Sequence, residues 1–80
     1  MTVRNDLHKV VLYHRKQAKL SREQLAELAG VGKTVIYDLE KGKQTVKWNT
    51  ILAVLQALNI KIDLQSPLME AYEKSTHQNT

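Results

Sequence analysis

The stretch Leu20–Lys43, "LSREQLAELAGVGKTVIYDLEKGK", carries two incompatible readings. Gly30 to Thr34, "GVGKT", looks like the end of a phosphate-binding P-loop, whose Gly-Lys-Thr cradles a nucleotide. The stretch as a whole has the punctuation of two short helices joined by a tight turn. Three observations remove the nucleotide reading. A P-loop needs glycine five positions before Gly32, and Glu27 stands there. The segment before the motif has helical rather than strand periodicity. One strand–helix crossover alone uses ~30 residues, which leaves a chain of 80 residues little room for a surrounding parallel sheet.

The helical reading accounts for each residue. Ser21-Arg22-Glu23-Gln24 matches a capping box, in which the serine hydroxyl accepts from the Gln24 amide and the Gln24 side chain reaches back. Leu25, Leu28 and Ala29 form the inner face of this helix. Gly30 ends it, because glycine adopts a left-handed conformation without a Cβ clash. Only Val31 and Gly32 separate it from the next helix, Lys33 to Lys41, with Val35, Ile36 and Leu39 inside and Gly42 as its stop. Lys33, Thr34, Tyr37, Asp38 and Lys41 project from the opposite face. Two short helices around a glycine-containing turn form a helix-turn-helix, whose second helix lies in the major groove of DNA.

The pattern extends outward on both sides. From Val3 to Ala18, the residues Val3, Leu7, Val10, Val11 and Ala18, with His14, repeat as one amphipathic helical stripe that Lys19-Leu20 breaks. After the loop "KGKQTVK" a fourth helix runs from Trp48 to Leu58, with Trp48, Ile51, Leu52, Leu55 and Leu58 on one stripe and Asn59 as its turn residue. "IKIDL", Ile60 to Leu64, changes period. Ile60, Ile62 and Leu64 alternate with polar residues, as in a half-buried strand. Ser66-Pro67 closes it. The expected organisation is a mainly α bundle of four to five helices with a short C-terminal β-strand over residues 1–65, then a polar, flexible tail over 66–80.

Charge points to a partner. Residues 1–47 hold ten Lys and Arg against five acids, and residues 48–80 hold two against three. A basic half beside a near-neutral half fits one face meeting a polyanion. There is no cysteine, which excludes a disulfide framework and thiolate metal sites. No long apolar run reads as a signal peptide or membrane span, so a cytoplasmic protein without a membrane partner is expected. The histidines at 8, 14 and 77 are scattered, and no metal-ligand spacing or catalytic constellation is present, so no cofactor and no enzyme activity are expected. His14 and Trp48 read as core residues.

The residues Leu20-Ser21, Gln24-Leu25-Ala26, Ala29-Gly30-Val31, Ile36, Leu39-Glu40, Gly42 and the Leu55/Leu58 helix together resemble the Xre/Cro-like helix-turn-helix family, with a lambda-repressor-like fold, from about Leu7 to Ile60. The resemblance implies a sequence-specific repressor of double-stranded DNA. It places Arg22, Lys41, Lys43 and Lys47 on phosphates. Lys33, Thr34, Tyr37 and Asp38 would contact bases, and Arg15 would pair with Glu40. Lys donates to guanine, Asp accepts from cytosine, and Thr bonds variably. Two positions depart from the family pattern, since Gly32 and Lys47 stand where a Ser or Thr commonly caps a helix. The "NIKIDL" segment adds a further resemblance, to HipB-like antitoxins of HipA-type kinase toxin systems. That implies a homodimer joined through strand residues Ile60, Ile62 and Leu64, a palindromic operator and a kinase toxin as protein partner. A phage-type Cro or repressor without a toxin, and a helix-turn-helix protein-interaction adaptor, stay open as alternatives.

Overall fold

The computed structural model describes residues 3–78. Five helices follow one another: α1 (Val3–Gln17), α2 (Arg22–Ala29), α3 (Lys33–Glu40), α4 (Trp48–Ala57) and α5 (Met69–Gln78). The first four enclose one core. Val11 of α1, Leu25 and Ala26 of α2, Ile36 and Leu39 of α3, and Ile51, Val54 and Leu55 of α4 are buried together. Leu7, Leu20, Val31, Val46, Leu58 and Ile60 pack around them, half-buried.

One device ends each of the four core helices. Lys19, Gly30, Gly42 and Asn59 all have positive φ. The amide that follows each of these residues reaches back to a carbonyl in the helix's last turn: Leu20 to Arg15, Val31 to Ala26, Lys43 to Asp38 and Ile60 to Leu55. These are Schellman closures, which satisfy carbonyls that have no partner in the helix ladder. At Gly42 (φ 83°) a Cβ would lie 3.5 Å from the His8 ring, so the loop after α3 packs closely on α1. The start of α2 is equally determined. The Ser21 hydroxyl accepts from the Gln24 amide at 3.0 Å, and the Gln24 side chain accepts from the Ser21 amide at 2.7 Å.

Three sequence expectations, on Leu28, Trp48 and the strand, need correction. Leu28 is 62% exposed, and Ala26 takes the buried place instead. Trp48 is 59% exposed at the first position of α4, while Val54 is fully buried. The strand expected at Ile60–Leu64 is not formed: no strand occurs among the described residues, and 60–66 lack regular structure. A strand exists only as part of a ladder, and the described residues of the protomer supply no second one. Ile60 stays half-buried, its amide already bonded to Leu55, while Ile62 and Leu64 are exposed. The tail winds into α5 from Met69, with a Glu70–Lys74 pair at 3.4 Å one turn apart. Every side chain described in α5 beyond Met69 is exposed.

Candidate functional site

The site is assembled where the start of α2 packs beside α3. Gly30 reverses the chain, and Gly32 opens α3 with extended backbone (φ −73°, ψ 149°) and no side-chain cap. Val31, Val35 and Ile36 turn inward to varying depth. Lys33, Thr34 and Tyr37 are left exposed and Asp38 half-buried on the outer side of α3.

A buried charge cluster sits behind this face. The Glu40 carboxylate, at the end of α3, is enclosed and accepts from two arginines. Arg15 Nε donates to Oε2 at 2.6 Å and Arg15 Nη2 to Oε1 at 3.2 Å. Arg22 Nε donates to Oε1 at 3.0 Å. Arg15 also donates through Nη1 to the Leu20 carbonyl at 2.9 Å, which ties the α1–α2 turn into the cluster. The arrangement joins α1, α2 and α3 at one point. Glu40 raises the Arg22 pKa above its ordinary value, chiefly through their hydrogen bond, against a smaller opposing effect of desolvation. Arg22 is therefore cationic at every working pH.

Arg22 differs from Arg15 in access. Its side chain is 38% exposed, while that of Glu40 is 4% exposed. Its guanidinium lies over the Tyr37 ring, 4.6 Å from the centroid. Two further cations on this side pair with carboxylates in water: Lys33 with Glu23 at 3.4 Å and Lys43 with Asp38 at 3.6 Å. Lys41 and Lys47 are exposed. The structure thus brings Arg22 to Tyr37 and Lys43 to Asp38, and sets Lys33 and Thr34 in the first turn of α3. Lys47 precedes α4 as its N-cap residue and makes no side-chain cap hydrogen bond.

The sequence reading missed the Arg22–Glu40, Arg22–Tyr37 and Glu23–Lys33 contacts. They join residues 18, 15 and 10 positions apart on different helices, beyond the three- and four-residue spacings at which a single helix announces a pair. The α2–α3 crossing, reached through the Gly30 turn, creates them.

Comparison with known proteins agrees with this geometry. A helix-turn-helix family model matches residues 12–65, which covers the turn, α2, α3 and α4 and stops before α5. The chain is 42% identical over 62 residues to an uncharacterized HTH-type transcriptional regulator, y4mF, of Sinorhizobium fredii, covering 78% of this chain and 82% of that protein. It is 32% identical over 62 residues to the control protein C.SmaI of Serratia marcescens, covering 78% of this chain and 74% of that protein. No helix among the described residues is long and apolar enough to cross a membrane. The matched residues include the turn, its capping box and the outer face of α3, and the chain belongs to the Xre-like helix-turn-helix family of transcriptional regulators.

Proposed function

We propose that the protein is a sequence-specific repressor that binds double-stranded DNA as a homodimer on a palindromic operator. The outer face of α3 carries this reading. Lys33, Thr34 and Asp38 offer a donor, a hydroxyl and an acceptor for the groove, and Arg22, Lys41, Lys43 and Lys47 supply cations for the phosphates. A cationic rim around a mixed polar centre suits a duplex, where phosphate contacts fix register and base edges give sequence. Fluorescence anisotropy with the DNA upstream of its own gene tests it. The expected result is saturable binding that weakens steeply with salt and exceeds that of a scrambled duplex. Equal binding to both duplexes would refute sequence-specific recognition.

Within that function, two finer readings have separate support. The first makes the protein an antitoxin of a type II module that represses its own operon and binds a HipA-type kinase toxin. The exposed apolar residues beyond Asn59 support it, as a surface that a protein partner would cover. The second is a phage-type regulator without a toxin, and similarity to a control protein favours it. Co-expression with the neighbouring gene separates them. A stable complex with a kinase-like protein establishes the first, and its absence leaves the second.

A further inference from the structure

Tyr37 sits at the centre of the outer face of α3, where a base reader would stand. Its ring, however, already has a partner. The Arg22 guanidinium stacks on it at 4.6 Å. The same guanidinium is held from a second direction by the enclosed Glu40 carboxylate, through Nε at 3.0 Å. A guanidinium is a planar fork of five N–H donors. Glu40 takes the one on Nε, and the side chain keeps 38% exposure, so N–H groups of the fork can meet an outside acceptor. Carboxylate and ring together restrict a long side chain that would otherwise be free to rotate. Such preorganisation favours binding, because the ordering entropy is lost on folding rather than on association.

We propose that Tyr37 is a positioning residue: it acts through Arg22, presenting that guanidinium as a preset clamp for a DNA phosphate, and does not read a base. The inference rests on the DNA-binding function above. Lysine cannot replace Arg22 here, since an ammonium is a compact point charge without a fork or a plane to stack. Glu40 serves the same end from beneath, and also carries Arg15, so its substitution would disturb folding. Tyr37 lies on the surface and offers the cleaner test.

The experiment compares wild type, Tyr37→Phe, Tyr37→Leu, Arg22→Ala and the double variant Tyr37→Leu/Arg22→Ala. Binding is measured by anisotropy on operator duplexes carrying every single base-pair change, over a salt series, with thermal melts confirming folding. Tyr37→Phe keeps the ring and should lose less affinity than Tyr37→Leu. Tyr37→Leu should weaken all duplexes alike by roughly two- to fivefold, the scale of an exposed cation–π contact. Arg22→Ala should weaken all duplexes and lower the salt slope by about one. Adding Tyr37→Leu to Arg22→Ala should then change nothing, because its effect runs through the arginine. A changed preference at one base pair in Tyr37→Leu, or an undiminished effect on the Arg22→Ala background, would make Tyr37 a reader and overturn the inference. So would wild-type affinity in Tyr37→Leu. Failure of the wild-type protein to select its operator is a different result, which removes the DNA-binding reading itself.

Discussion

Glu40 is the residue on which the most depends. An enclosed carboxylate is tolerated only when it is paired and its oxygens are hydrogen-bonded, and here two arginines meet that condition from two helices. Removing a partner strands charge rather than merely deleting a contact. Arg15→Ala should cost ~3–5 kcal/mol, as for other buried pairs broken on one side, and lower the Tm by more than ~10 °C in a domain of this size. Arg22→Ala removes a half-exposed, solvent-screened partner and should cost far less. Calorimetry should therefore rank the two far apart, and equal melts would mean that Arg15 is not the buried anchor. On the outer face the readout is binding instead of stability. Lys33→Ala should relax preference at one operator position at ~1–3 kcal/mol, whereas Lys43→Ala should weaken all sequences alike and reduce the salt slope by about one. A titration of single-base operator variants distinguishes these outcomes. The Arg15–Glu40 pairing was available to the sequence reading only through family resemblance. Nothing in the spacing announced that Arg22 would share the same carboxylate.

At the scale of elements, the chain was legible wherever the backbone chemistry is local. Ser21 and Gln24 at three-residue spacing form a capping box whatever surrounds them, and Gly30 and Gly42 take the left-handed positions that close α2 and α3. The burial of individual faces was less legible, because it depends on how helices cross. Leu28 and Trp48 satisfy the apolar stripe of an isolated helix yet point away from this core, while Ala26 and Val54 are small enough to lie where helices approach. The uncapped starts of α3 and α4 follow from the sequence directly: Gly32 and Lys47 make no side-chain hydrogen bond at either N-cap. Lys47 already has the extended backbone of an N-cap (φ −66°, ψ 144°). Lys47→Ser should accordingly stabilise the protein by roughly 0.5–2 kcal/mol. If Lys47 holds a phosphate, the same substitution should weaken operator binding and lower the salt slope by about one. A more stable variant with an unchanged salt slope would assign Lys47 no part in DNA binding.

At the scale of the whole molecule, the segment beyond Ile60 has no place in the core. The radius of gyration is 15.3 Å, against roughly 12 Å for a compact chain of this length. Leu64 is 71% and Leu68 75% exposed, and Ile62 and Tyr72 are exposed with them. The alternation of Ile60 to Leu64 was legible in the sequence, but a strand needs a partner that the described part of one protomer does not contain. A second copy related by a two-fold axis would provide it. Antiparallel pairing centred on Ile62 sets each Ile60 opposite the other chain's Leu64, and each Lys61 opposite Asp63. Apolar residues then meet on one face and opposite charges on the other, each such pair adding roughly 0.2–1 kcal/mol. An isologous contact of this kind would join two α3 helices in one particle, as half-sites about one DNA turn apart require. The Nε2 of Gln65 already donates to Asp63 at 3.0 Å across a two-residue step, as extended backbone allows. Ile62→Asp would put two like charges at the centre of that pairing. Sedimentation equilibrium should find this variant monomeric, with tight operator binding lost while the melt of the helical core is retained, because Ile62 is not part of that core. A variant that stays dimeric at micromolar concentration and binds its operator normally would move the interface elsewhere, with the exposed Leu68 and Tyr72 of the C-terminal segment as the next surface to test.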